Sequence, residues 1–464
     1  MRYLKVTLIM VLVALMAVPA FARRKKPKVN VGALVASGKI ALADNPPRYE
    51  EAMGYFDQIL EDHGMIPEAY FYKGSIYASY AEQEYDPTKK LEHLKNMVIN
   101  HDSLHLACET DSVDKKYRDN CDEFLSIADS TRVYYWRNNF RRGVEVLTMM
   151  DEKLLPELAS AGDSASEAAA RQSLNIAADS AKAYFNIAML IDTANYRSFE
   201  GMALIYDRLG DFDSSLTYFE MAATIAPDEP NLIQSVAYSY IQRRDWEKSV
   251  NYFRKLIPFI KDQPEMLVNT YFNMAICFNN MQKYDSSFTY NMKVVEIDST
   301  ECAAFLDIGQ YYLIKSQNYA DTVRQLSQAG DDTGAEKYNN MKNNSLDSSI
   351  AYFERTIACD STNTLALEQG AIVNMIRGNF DDACPKFEQL TILIPGEKDF
   401  WLSLGDCYVQ QGNFEQAIEP YEKYLELDPS DCDVWEQLES LYKSHKMPDK
   451  LKQATAKIKE LGCE

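Results

Sequence analysis

One pattern, restated at 34-residue intervals, constrains this chain more than any other feature. Its fullest copy is 398–431, KDFWLSLGDCYVQQGNFEQAIEPYEKYLELDPSD, in which Trp401, Leu404, Gly405, Tyr408, Ala417, Tyr421 and Pro429 recur at helical spacing. Self-similarity at a period of 20–50 residues marks units that cannot bury their apolar face alone and must stack on neighbours. The clearest register is an aromatic-acid-small motif. It reads Phe212-Asp213-Ser214-Ser215, Trp246-Glu247-Lys248-Ser249, Tyr284-Asp285-Ser286-Ser287, Leu346-Asp347-Ser348-Ser349, Phe380-Asp381-Asp382-Ala383 and Phe414-Glu415-Gln416-Ala417, at steps of 34, 38, 62, 34 and 34 residues. An acid there falls in the first turn of a helix, where it offsets the dipole and can cap free N–H groups. Four residues later comes a large side chain, Phe219, Phe253, Phe353, Phe387 or Tyr421, and in one copy Asn291. That i, i+4 spacing defines one buried helix face.

A preceding helix repeats equally well. Phe199, Ile233, Tyr271, Phe305, Leu367, Trp401 and Trp435 open it. The small contacts Ala203, Ala237, Ala275, Gly309, Ala371 and Gly405 follow, with Glu439 breaking the rule in the last copy. Together these residues resemble the tetratricopeptide repeat (TPR) family in seven units over 196–464. Looser copies lie over 33–195, around Tyr49, Ala52, Phe56, Tyr70, Gly74 and Tyr77, with helices expected over 134–150 and 179–190. Between two helices of one unit, the Gly/Asn/Asp-rich stretch 318–345 reads as a 28-residue structureless insertion, and Asp449–Leu461 as a capping helix. The resemblance implies an all-α, right-handed superhelix of about nine to eleven helix-turn-helix units.

Residues 1–22 are expected to be a signal peptide: Arg2 and Lys5 precede an apolar run from Val6 to Val18, and Ala20-Phe21-Ala22 gives the small-x-small cleavage pattern. The run is too short for a membrane span of ~20 apolar residues. Cleavage after Ala22 leaves a basic, flexible tail over 23–32 and an exported, periplasmic protein with no stable membrane insertion. The net charge of −21 disfavours nucleic acid, whose phosphates need clustered Lys and Arg. Export also makes nine cysteines notable. Cys277/Cys302, Cys359/Cys384 and Cys407/Cys432 share a 25-residue separation, but a helical hairpin puts those partners too far apart to bridge. These six are expected to be buried hydrophobes, and Cys108/Cys121 is the pair to test for a disulfide.

Motifs with chemistry are sparse. Asp332-Thr333-Gly334 copies the triplet of aspartic proteases, but that chemistry needs two carboxylates on β-rich lobes, and the triplet reads as a loop turn. His101, His105 and Cys108 share one helical face and form a weak metal constellation, with no matching pair to complete a signature. No phosphate loop, nucleophile elbow or metalloprotease motif is present. No enzyme, cofactor or metal site is therefore expected.

What the TPR resemblance implies is a groove, lined by first helices, that binds a protein or peptide. Its expected lining is Asn231, Gln234, Tyr238 and Gln242, then Asn269, Phe272, Asn279 and Asn280, then Gln310. Leu306, Leu313, Leu365, Ile372 and Met375 come next, and Asp399, Leu402, Asp406 and Val409 in the fullest copy. Amides and tyrosines suit an extended backbone. The basic clamp that family members use on a C-terminal carboxylate is missing. Two alternatives stand beside this exported scaffold: a metal-binding accessory protein using His101, His105 and Cys108, and a self-assembling structural protein.

Overall fold

The structure, a computed structural model, describes residues 29–463 and is all-helical, with no strand among the described residues. The expected signal peptide and residues 23–28 of the basic tail lie outside the described residues. Two compact units divide at Pro227 and Asp228.

The first unit holds α1 (Val31–Ala43), α2 (Tyr49–His63), α3 (Pro67–Gln83) and α4 (Pro87–Glu109), then α5 (Cys121–Met149), the short α6 (Leu155–Ala159) and α7 (Ser164–Ile191), and finally α8 (Tyr196–Arg208) and α9 (Phe212–Ile225). One packing device recurs. A small residue of one helix faces a ring from a later helix so closely that a Cβ would collide with it. On Gly38 a Cβ would stand 2.6 Å from Phe56 Cζ, and on Gly143 2.8 Å from Phe185 Cζ. The second contact joins α5 to α7, so the irregular stretch contains a long-armed, divergent copy of the repeat. Between α5 and α6 the backbone widens into a π turn over Met150–Leu154. Pro156 explains it, because proline offers no N–H and its ring crowds the carbonyl four residues back. The Ala/Ser-rich stretch is ordered further than its composition suggests. Asp163 Oδ1 accepts the Ser166 N–H at 2.7 Å and closes a capping box. From there α7 runs 28 residues, with Leu174, Ala178, Ala181, Phe185 and Ala188 on its buried face.

The second unit is more regular. It comprises α10 (Pro230–Gln242), α11 (Trp246–Ile260), α12 (Pro264–Asn280), α13 (Tyr284–Ile297), α14 (Cys302–Gln328) and α15 (Asp332–Cys359). Then follow α16 (Thr364–Arg377), α17 (Phe380–Leu393), α18 (Lys398–Gln411), α19 (Ile418–Leu427), α20 (Cys432–Ser444) and α21 (Pro448–Leu461). Phe253, Phe353, Phe387 and Tyr421 are buried as the i, i+4 pattern predicts. Each stabilises its hairpin by about 2–3 kcal/mol through lost apolar surface. Asn291, in the same position of its repeat, is buried as well and donates to Asp307 Oδ2 at 3.2 Å. In two of the repeats the cap expected from the acid after the aromatic comes instead from the residue before it: Asp211 Oδ1 accepts the Ser214 N–H and Asp245 Oδ1 the Lys248 N–H.

Three expectations need correction. Residues 318–345 are not a structureless insertion. They lengthen α14 and α15 into a hairpin that turns at Gly330, where φ is +75°. Tyr319, Val323 and Leu326 fall on one helical face, and the Tyr319 ring meets Tyr338 of the other arm at 5.9 Å. Asp332-Thr333-Gly334 is likewise the first turn of α15, capped by Asp331 Oδ1 on the Gly334 N–H at 3.0 Å.

The third correction concerns cysteine. Cys108–Cys121 is a disulfide, as the pair to test, but so are Cys302–Cys359, Cys384–Cys407 and Cys432–Cys463, leaving Cys277 as the buried free thiol. Their Cα atoms are 5.5–5.8 Å apart, within bridging geometry. The 25-residue pairs are indeed not bridged. An antiparallel hairpin instead returns its last residue to its first, so Cys302 at the start of α14 meets Cys359 at the end of α15.

The fullest repeat also departs from its siblings. Residues 414–417 form a turn, closed in part by the Gln416 N–H on the Asn413 carbonyl at 3.1 Å, and α19 begins only at Ile418.

Candidate functional site

Packing in the second unit uses one side of each first helix and leaves the other available. Along α18, Leu404, Gly405 and Cys407 are buried against the core, while Asp399, Leu402, Asp406 and Val409 fall on the open or half-open side. A groove of about 820 Å³ runs along this side across three successive first helices. From α16 it takes Met375 and Ile376, from α18 Asp406, Val409 and Gln410, and from α20 Gln437, Ser440 and Ser444. Phe414 enters from the turn that delays α19. Ile376 is 61% exposed and Phe414 49%, large apolar side chains left open to solvent in the lining of this one concavity. Isolated exposed apolar residues are ordinary, whereas a contiguous set in a concavity marks a binding surface.

Asp406 is the charged member of this lining. The Tyr421 hydroxyl donates to its Oδ1 at 2.6 Å. Tyr421 is fully buried, because its ring packs on Gly405, where a Cβ would stand 2.5 Å from Cε1. The repeat's packing residue therefore aims a carboxylate into the groove. Burial pushes the Asp406 carboxyl above its ordinary value, partly opposed by the Tyr421 hydrogen bond. Burial, then the neighbouring carboxylate, pushes the Tyr421 phenol up too.

The nine polar and aromatic positions expected to line the groove lie one to three repeats earlier. Asn231, Gln234, Tyr238 and Gln242 stand on α10, Asn269, Phe272, Asn279 and Asn280 on α12, and Gln310 on α14, all exposed or half-buried. Tyr238 rests edge-on against Phe253, with ring centroids 5.6 Å apart. Asn273, which the sequence reading omits, links the helices: its Nδ2 donates to the Asn269 carbonyl at 2.7 Å and reaches Tyr238 Oη at 3.4 Å. Among the apolar candidates, Met375 lines the groove, Leu365 and Ile372 are exposed nearby on α16, and Leu306 and Leu313 pack against Leu346 and Phe353. The signal that could have found Ile376 and Phe414 is their lack of a packing duty at apolar positions of the motif.

The weak metal constellation comes apart. Cys108 is bonded to Cys121, so its sulfur is not a ligand. His105 Nε2 faces Asp129 Oδ1 at 2.9 Å. His101 is 1% exposed and fills the position that a ring occupies in other repeats: a Cβ on Gly74 would stand 2.5 Å from its Cδ2. Its Nδ1 has no hydrogen-bond partner. Burial and nearby Arg132 hold its imidazole down to about 4, against the opposing pull of Asp102 and Asp129. Among the described residues no group of three His, Cys, Asp or Glu side chains is arranged to hold a metal ion. No helix of the described residues is long and apolar enough to cross a membrane.

Comparison with known proteins agrees with the geometry at the level of the repeat. The tetratricopeptide-repeat family matches residues 399–431 and residues 196–229. Those two segments are therefore tetratricopeptide repeats, set in a chain whose described residues are helical hairpins without a strand. No curated protein matches it. Among solved structures, it is similar to a MamA protein at 15% identity, covering 43% of this chain and 92% of that one with a TM-score of 0.33. A Pseudomonas aeruginosa protein, pilF, is 13% identical over 60% of this chain and 99% of its own, with a TM-score of 0.37. YrrB, described as a TPR protein with an unusual peptide-binding site, is 15% identical over 47% and 97%, with a TM-score of 0.31.

Proposed function

We propose that this chain is an exported, non-catalytic scaffold that holds a protein or peptide partner on the open side of its first helices. The observation that carries the reading is the groove between α16, α18 and α20. There Ile376 and Phe414 are exposed beside a half-buried carboxylate, while the packing residues of the same repeats face the core. Repeat proteins of this class bind protein or peptide partners, and the groove's mixture of apolar side chains, amides and hydroxyls suits a polypeptide backbone with side chains to bury. The polar row on α10, α12 and α14 extends the same surface.

Export is supported by two independent features. The first is the apolar stretch Val6–Val18 followed by Ala20-Phe21-Ala22. The second is the presence of four cysteine pairs at bridging distance, which oxidising compartments favour. Protein recovered from the periplasmic fraction should begin at Arg23 and, when unfolded without reductant, react with a thiol reagent at Cys277 alone. Recovery from the cytoplasm with nine reactive thiols would sink this part of the reading.

Partner binding is tested with a photo-crosslinking residue at Val409 in living cells. A discrete adduct is expected, and Ile376→Glu should abolish it without unfolding the chain. An adduct pattern unchanged by Ile376→Glu, or identical from a crosslinker at Gly54 in the first unit, would overturn the groove as the binding surface.

A further inference from the structure

Resting on that groove reading, we infer that the partner segment carries a lysine or arginine flanked by apolar residues, with its cation on the Asp406 carboxylate and its stem along Val409 and Phe414. The groove's charge is one-sided. Asp406 lines it, no Lys, Arg or His does, and the whole chain carries −21. The carboxylate is also fixed in place. Tyr421 engages Oδ1 at 2.6 Å, and its ring is fully buried and closely packed on Gly405. A rigid carboxylate in a half-apolar concavity bonds a cation more strongly than a flexible surface acid, since part of the water has already been removed. A lysine or arginine fits the rest of the site, because its methylene stem lies on apolar surface while its head stays polar. Ile376 of α16, 61% exposed in the same groove, offers a seat for an adjacent apolar side chain. An acidic partner segment would instead bring like charges together where screening is weak.

Fluorescence anisotropy on residues 23–464 tests the inference with labelled nine-residue peptides of alternating leucine and serine, carrying lysine, norleucine or glutamate at the centre. The lysine peptide should bind at least about tenfold more tightly than the glutamate peptide, the equivalent of one charge-assisted hydrogen bond. Asp406→Asn, which keeps an acceptor for Tyr421, should erase that preference, and Gln437→Lys should turn it toward glutamate. Circular dichroism verifies that each variant is folded. Should Asp406→Asn not fold, the Gln437→Lys result alone decides. Equal binding of the three peptides, or a lysine preference that survives Asp406→Asn, overturns the cation assignment. If in that case binding still falls with Phe414→Ser, the groove reading stands without it. Binding of none of the peptides, or binding indifferent to Phe414→Ser, removes the groove reading and this inference together.

Discussion

His101 in the first unit and Tyr421 in the second occupy the same place in their repeats, yet they have opposite consequences. Both rings press on a glycine, Gly74 and Gly405, at a separation that admits no Cβ. Tyr421 carries its polar atom to an acceptor, the Asp406 carboxylate, and through it shapes a groove. His101 buries a nitrogen with nothing to bond. The difference teaches that the ring-on-glycine contact sets the fold, whereas the polar atom on the ring decides whether a repeat also presents chemistry to its surroundings.

The contact itself can be broken at both places. Gly405→Val and Gly74→Val should each cost more than about 3 kcal/mol by overpacking, read as a lowered urea midpoint. Gly54→Val is the control, because nothing lies within 4 Å of a Cβ there. A loss below about 1 kcal/mol at Gly405 or Gly74 would mean that the helices yield instead of locking.

Acid should separate the two rings. An unfolded imidazole takes up its proton near 6.5, but folded His101 does so only at about 4. The unfolded chain therefore binds more protons between those values. Stability attributable to this site is complete above pH 6.5 and falls as pH drops toward 4, by about 3 kcal/mol in all. His101→Phe should flatten that limb of the stability–pH curve, and a curve unchanged by the substitution would argue against a buried neutral imidazole. Tyr421 acts at the other end of the scale. Its raised phenol makes the native state lose stability above pH 10, a limb that Tyr421→Phe should reduce.

At neutral pH the same pair of substitutions should differ in sign. Tyr421→Phe removes a hydrogen bond to a half-buried carboxylate and should destabilise by about 1–2 kcal/mol. His101→Phe removes an unpartnered buried nitrogen and should be neutral or stabilising by up to about 1 kcal/mol. Thermal denaturation of the two single variants reads the comparison directly, and equal losses would contradict it.

The smallest expected effect lies in the turns. Gly378 and Gly412 adopt φ of +75° and +85°, and Arg244, Gln282 and Lys446 hold corresponding turns near +57° without glycine's freedom. Replacing any one of these three by glycine should raise stability by up to about 1 kcal/mol, whereas Gly412→Ala should lower it by a similar amount. Urea midpoints read both, and a loss at Gln282→Gly would show that its side chain contributes more than the strain it imposes.

How much of this was legible follows from the same residues. Gly405, Tyr421 and Trp401 are packing residues at a fixed spacing, so the fold around them could be read from one segment. His101 could not be read that way. Its spacing from Gly74 is stretched, and an imidazole in a ring's position looks like a ligand until burial is known. The arms of α14 and α15 were obscured by an Asn- and Asp-rich composition that suggested a loop, although Tyr319, Val323 and Leu326 already marked a helix face. Cys108–Cys121 was foreseen, but the other three disulfides were missed because they follow hairpin geometry and not a shared sequence separation. Of the groove, Asp406, Val409 and Met375 were foreseen from helix phase, but Ile376 and Phe414 were not, since repeat motifs specify what packs and are silent about what is left open.

The bridge between Cys302 and Cys359 closes a sequence separation of 57 residues at the base of a hairpin. Pulled from its ends, this chain would transmit tension across one covalent link there instead of through the two long arms. At ~3.4 Å per extended residue, on the order of 190 Å of contour would stay hidden until the bridge is reduced. A tether built this way under load would lengthen in two regimes, and the redox state of one cysteine pair would set where the first of them ends.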